Sequence, residues 1–262
     1  MCGTVVAVGT GTSVAVGDRL MGVTNFFDGR GGLAEFSLAN EAALFRVPDD
    51  MSSTDAAAFR IGYSTALIGL QRRGGMRPGD AVLVLGAGGG SGSTAVQIAH
   101  ALGGNVIAVV SGRQRASLCE SLGAAHVIDR SVTDVVSTVN ELTSGRGVDL
   151  VYDPVGGQLA ASTVGCLASG GRLLAVGFAS GEWVRPSTHD LVRRNGSLVG
   201  VYAGGITRAE NEEDHEFLLS LFEQGRLTSV LNEVPFDRGV DAVVAVDNGT
   251  VVGKSVVVVS EG

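Results

Sequence analysis

Cysteine is scarce in this chain of 262 residues: Cys2, Cys119 and Cys166 stand apart and form no CxxC pair. They offer neither a disulfide framework nor a thiolate metal site, and isolated thiols suit a reducing compartment, so a cytoplasmic location is expected. Long apolar runs are missing as well. The longest patches, such as SVVVVS, have the length of a strand and fall short of a membrane span. The chain does not open with a basic region followed by an apolar stretch, so no export signal is expected. The histidines, His100, His126, His189 and His215, make no HxxxH or HxxE pattern and read as ordinary surface or core residues. Positive charge is in the minority: a net charge of −8 argues against nucleic acid as the main partner.

Glycine, by contrast, is abundant. Its 40 residues are about twice the ordinary share and follow no strict period, so they signal many tight corners between Val-rich runs. Five of them fall in the seven residues GAGGGSG, from Gly86 to Gly92. The preceding AVLVLG has the composition of a buried strand, and STAVQIAHALGG follows with Ala95, Ile98, Ala99 and Leu102 on one helical face. A slack linker does not sit between a buried strand and an amphipathic helix. From residue 80 onward strands and helices alternate, with strands expected at 81–85, 105–110, 125–128, 148–153, 172–178 and 197–202. Helices are expected near 92–102, 113–122, 132–142, 157–168 and 188–194. Six strands in that rhythm predict an α/β protein of the Rossmann type, a doubly wound parallel sheet.

In such a crossing, small residues let the backbone approach a pyrophosphate held by amides at the helix N-terminus. Ala87, Gly89 and Gly92 give the Ala form of the GxGxxG pattern, so Gly89, Gly90, Ser91 and Gly92 are the expected phosphate cradle, with the Ser91 hydroxyl nearby. A bare structural turn remains the alternative. Selection of NAD requires a carboxylate after the second strand, yet no Asp or Glu occurs between Asp80 and Glu120. Ser111, Arg113 and Arg115 stand there instead, and Arg130 follows the third strand. A hydroxyl and guanidinium groups hold a ribose 2′-phosphate by charge-assisted hydrogen bonds, so NADPH is the expected cofactor. A solvated helix start is the other reading of these arginines. The missing acid also weakens a methyltransferase reading.

The flanks have another texture. GTVVAVG, VGDRLMGV, GGLAEFSLA and ALFRVP, all within residues 1–48, read as short strands of a small barrel or sandwich. Beyond residue 204 a helix is expected near 208–224, then two strands around a short helix. Taken with YSTALIGLQRRGGMRPGDAVLVLGAGGGSG, LGAAHVIDR, GVDLVYDPVGG, GGRLLAVGFASGE and VGKSVVVV, these runs make the chain resemble the medium-chain dehydrogenase/reductase superfamily. It is most similar to the zinc-independent, zeta-crystallin-like NADPH:quinone oxidoreductase branch.

The resemblance implies a Rossmann NADP-binding domain at 63–204, inserted within a GroES-like catalytic domain formed by 1–62 and 205–262. That barrel is expected to be incomplete at its N-terminal side, because the match begins inside a motif that several strands precede in relatives. No metal is expected: Ile61 occupies the position of a zinc ligand, and the stretch between Gly17 and Gly32 has no cysteine. The implied reaction is hydride transfer to a quinone or conjugated enone. Thr65 matches a residue that lies against the nicotinamide, Phe178 is an expected cofactor contact, and Tyr63 is the catalytic candidate, with packing as its alternative. Asp153 is expected to cap the turn at Pro154. The apolar edge strand 197–204 predicts a homodimer. Two other functions stay open: a nucleotide-binding protein without efficient turnover, structural or regulatory, and an enoyl-thioester reductase.

Overall fold

The computed structural model describes residues 1–259. Residues 260–262, which the expected catalytic domain includes, lie outside the described residues. In chain order the elements are β1 (Cys2–Thr4), β2 (Arg19–Gly22), β3 (Leu44–Arg46), α1 (Ser53–Leu67), β4 (Ala81–Val84) and α2 (Gly92–Ala101). Then come β5 (Asn105–Val110), α3 (Arg113–Ser121), β6 (His126–Asp129), α4 (Val135–Leu142), β7 (Val148–Asp153) and α5 (Gly157–Ser162). The chain closes with β8 (Leu167–Ala175), α6 (Thr188–Arg194), β9 (Ser197–Gly200), α7 (Arg208–Glu223), β10 (Leu231–Pro235), α8 (Gly239–Asp247) and β11 (Lys254–Val258). They form two compact units, Gly62–Thr228 and Met1–Ile61 with the segment from Ser229 onward.

The larger unit is built on one sheet in the order β6-β5-β4-β7-β8-β9, every neighbouring pair parallel. All four residues of β4 are buried, as are most of β5 and β7, which is why these strands read as unbroken apolar runs. Leu83, Leu85, Ile107, Val109, Ile128, Val151 and Leu173 form the centre of its core. Helix starts are fixed by short polar side chains. Asp134 accepts from the Ser137 amide, Ser187 from Asp190, and Thr207 and Glu210 make a reciprocal capping box. The winding changes direction between β4 and β7. In sheets of this kind ligands bind at the carboxyl edge beside such a change of winding.

Two expectations change here. β8 begins at Leu167, five residues before the expected start, and it ends at Ala175, so Gly177 and Phe178 lie in the following loop. Leu167 pairs with Val148 ahead of a register shift, and Ser169-Gly170-Gly171, left between the expected helix and strand, is the irregular part of a continuing strand. The large unit also runs on to Thr228, past the expected limit at 204. Leu218 and Leu221 of α7 are buried, and Arg72 reaches both carboxylate oxygens of buried Asp214 through Nε at 3.0 Å and Glu213 through a second nitrogen at 2.8 Å.

The smaller unit contains a three-stranded antiparallel sheet, β1-β2-β3, and a parallel pair, β10-β11. The family resemblance implies a GroES-like barrel from this unit; these two small sheets are what the described residues form, and neither closes on itself among them. The expected strand at 31–39 does not form: an amide of Asn25 bonds to the Leu38 carbonyl at 2.8 Å, but no ladder follows. A strand is defined by its neighbour, and the alternation of this segment meets none. Phe36 is 74% exposed in consequence. No helix among the described residues is long and apolar enough to cross a membrane.

Candidate functional site

The glycine-rich turn leaves β4 at the change of winding. Its first part is held on both sides, the Leu85 amide by the Tyr152 carbonyl on β7 and the Ala87 amide by the Val109 carbonyl on β5, each at 3.0 Å. Gly86 needs its positive φ of 58°. A Cβ at Gly92 would lie 2.2 Å from the Gly86 carbonyl oxygen, so only glycine lets the helix pack this closely on the turn. Ala87 and Gly88 are buried, whereas Gly89, Gly90 and Ser91 are partly open. Ser91 makes no capping bond with its side chain. The exposed arc is thus short, small-residued and placed at the N-terminus of α2, which fits a diphosphate.

Beneath the arc lies Tyr152, a residue that the sequence reading passed over. It is fully buried, and its hydroxyl is 3.3 Å from Ser91 Oγ. Burial pushes its pKa up to about 12, so it keeps its proton at neutral pH. Strand alternation was the available signal, since Tyr152 follows Leu150 on one face of β7. The next residue, Asp153, is also buried. Its Oδ1 accepts the amides of Val155 at 2.9 Å and Gly156 at 2.7 Å, which is the turn cap expected of it. Its backbone carbonyl accepts from Val176 and Gly177, so one residue ties the loops after β7 and β8 together. Desolvation raises the Asp153 pKa, against the effect of the two amide donors.

On the other side of the turn, the aliphatic stem of Arg115 lies across Gly88, where a Cβ would come within 2.7 Å of it. Its guanidinium donates to the Ser111 carbonyl at 3.2 Å. The fold therefore brings Arg115 to the glycine turn, with the Ser111 carbonyl tied to its guanidinium. Arg113 opens α3, Arg130 follows β6, and both are exposed. A carboxylate also stands here. Asp129 Oδ2 accepts the Gly112 amide at 3.1 Å, and Oδ1 takes the Ser131 amide at 3.0 Å and hydroxyl at 2.6 Å. These donors, Ser131 foremost, hold its pKa below the ordinary carboxylate range. Counting only the stretch up to Glu120 overlooked this acid, which comes from the adjacent strand.

Thr65 is half-buried on α1. Tyr63 is buried, and its hydroxyl donates to the Thr228 carbonyl at 2.9 Å, the same carbonyl that accepts from Gln97 at 3.1 Å. That phenol is engaged in packing the unit. Phe178 is half-exposed in the loop after β8 and rests on the chain's single tryptophan, Trp183, with ring centroids 4.7 Å apart. Cys119 and Cys166 are buried thiols pushed up to about 12, which keeps them protonated and unreactive.

A family model described as zinc-binding dehydrogenase matches residues 90–220, half of the chain. The Nematostella vectensis quinone oxidoreductase-like protein 2 homolog is 34% identical over 229 residues, which are 86% of this chain and 62% of that protein. The chain thus spans less than two thirds of that relative's length. Among solved structures, mycobacterial Rv1454c complexed with NADPH superposes with a TM-score of 0.91 at 30% identity, covering 98% of this chain and 80% of that one. The Escherichia coli quinone oxidoreductase complexed with NADPH gives 0.87 at 25% identity over the same shares. A doubly wound sheet with a small-residue turn at its switch point defines the class of nucleotide-binding α/β proteins. Within it, this chain belongs to the medium-chain dehydrogenase/reductase superfamily, in the zinc-independent quinone oxidoreductase-like branch. Despite the family model's description, no group of three or more His, Cys, Asp or Glu among the described residues could hold a metal ion. Ile61, an alkyl side chain, offers no donor.

Proposed function

We propose that this chain binds NADPH and acts as an oxidoreductase that transfers hydride to a quinone or conjugated enone without a metal. The observation that carries the reading is the open arc Gly89–Gly90–Ser91 at the sheet's switch point, joined through Arg115 to Ser111. The relatives named above point the same way.

In this reading the amides at the start of α2 and the Ser91 hydroxyl hold the diphosphate. Ser111, Arg113, Arg115 and Arg130 hold the ribose 2′-phosphate, three guanidinium groups against the single carboxylate of Asp129, whose oxygens already accept three donors. Thr65 and Phe178 contact the nicotinamide end, and Asp153 positions the loops after β7 and β8. Bound NADPH would supply the hydride. Ile61, which has no donor where zinc-dependent relatives carry a ligand, supports an acceptor that is already electron-poor, a quinone or enone in preference to a simple carbonyl compound. The Tyr63 hydroxyl donates to the Thr228 carbonyl, which favours its packing role over the catalytic one.

The test is an acceptor screen. Purified protein should oxidise NADPH when given a 1,4-benzoquinone or an α,β-unsaturated ketone, and a bulky replacement of Gly89 should abolish this. Tight NADPH binding with no acceptor-dependent oxidation would favour a nucleotide-binding protein without turnover, and a preference for acyl-CoA enones would make it an enoyl-thioester reductase. The proposal includes a homodimer through 197–204, because β9 is the edge of the sheet and carries exposed Leu198. A monomeric mass in solution would remove that part. A cytoplasmic location is proposed from the three free thiols.

A further inference from the structure

We infer that Tyr152 is a positioning residue for the cofactor's diphosphate: from under the glycine turn it donates its phenolic proton to Ser91 Oγ and so turns the serine's own proton outward, toward the phosphate oxygens. The inference rests on the NADPH reading above and adds a residue that does not itself touch the ligand.

The geometry leaves Tyr152 little choice. The residue is completely buried at the penultimate position of β7, so its hydroxyl has no access to bulk water. A buried donor needs an acceptor, and the one the structure places within reach is Ser91 Oγ at 3.3 Å. The ring is fixed in place: a Cβ at Gly69 would lie 3.1 Å from its Cε2, so the backbone there and the ring are already in close packing. Its proton is retained across the neutral range, because burial holds the pKa at about 12. Ser91 has one proton of its own and does not spend it on capping α2. With its Oγ accepting from below, that proton is available on the exposed side, where the arc opens between Gly89 and Ser91. A hydroxyl that accepts one hydrogen bond also donates more strongly in the next. The arrangement therefore favours an anionic ligand at that spot over a neutral one.

The test is a double-mutant cycle in the full chain, read by equilibrium binding of NADPH and of adenosine 2′-phosphate, which lacks the bridging diphosphate. We expect Ser91→Ala to weaken NADPH about tenfold and Tyr152→Phe about fivefold, while the double variant is no weaker than Ser91→Ala alone. Binding of adenosine 2′-phosphate should be unchanged in all three. Losses that multiply to about fiftyfold in the double variant, or equal weakening of adenosine 2′-phosphate by Tyr152→Phe, would show a general structural role and overturn the proposal. Should Tyr152→Phe not fold, Ser91→Val carries the test, since it fills the space without a hydroxyl; NADPH affinity at the unmutated level would overturn the proposal. If the unmutated chain binds neither nucleotide, the underlying cofactor reading fails first and this inference falls with it.

Discussion

The two compact units obey different rules. In the sheet unit, apolar runs are buried from both faces, and β4 shows no solvent-exposed residue at all. In the smaller unit, the segments between short strands leave large side chains open: Phe27 is 83% exposed and the whole 31–39 segment lacks a ladder. Sequence pattern specifies structure where a side chain's environment is set by near neighbours in a repeating motif. It specifies far less where a segment's environment depends on which other strands lie beside it.

The sharpest break of that contrast is at Gly92. Gly92→Ala places a carbon 2.2 Å from the Gly86 carbonyl oxygen, deep inside van der Waals contact, so the turn must open; we expect a loss of stability of about 1–3 kcal/mol or more, together with loss of NADPH binding. Urea unfolding and nucleotide titration on the same variant measure both. Next in size, Leu83→Ala removes a fully buried side chain of β4 and should cost about 2–5 kcal/mol, whereas Phe27→Ala in the smaller unit should change stability by less than about 0.5 kcal/mol. Equal losses at the two positions would erase the distinction between the units.

That distinction also separates what could be read in advance from what could not. The strands at 105–110 and 148–153 match β5 and β7 to the residue, because Val-rich runs bounded by glycine and polar turns admit few alternatives. The glycine turn between β4 and α2 was legible for the same local reason. Tyr152 and Asp129 were not, since their roles depend on which strands adjoin β4 and β5, a fact of topology. Tyr63 shows the converse: a hydroxyl placed near the expected acceptor by chain position is occupied by Thr228, 165 residues away. The register shift in β8 was not legible either, because it depends on how that strand pairs with β7.

Smaller effects sharpen the picture at the ribose pocket. Replacing Arg113 and Arg130 together by alanine should weaken NADPH by about tenfold to a hundredfold and leave NADH affinity within about twofold, as expected for loss of charge-assisted bonds to one phosphate. Competitive titration of the two cofactors would show it, and equal weakening of both would contradict the assignment. The smallest expected effect is the pH response of Asp153. Its folded pKa is raised, chiefly by desolvation, so the folded chain holds a proton that the unfolded chain has released. Stability contributed by this group is then greatest below the unfolded pKa and falls as pH rises through the folded value. Asp153→Asn removes the titration, so the stability of the variant relative to the unmutated chain should increase from pH 4 to pH 7. A difference that stays flat or shrinks over that interval would contradict the shift.

The account turns on a nucleotide seated at the change of winding with its 2′-phosphate among arginines. Isothermal titration of the purified chain with NADPH and with NADH tests it most directly. The account predicts saturable 1:1 binding of NADPH at least tenfold tighter than NADH, a preference that weakens as salt is raised because part of it is ionic. Equal affinity for the two cofactors, or no binding of either, would contradict it.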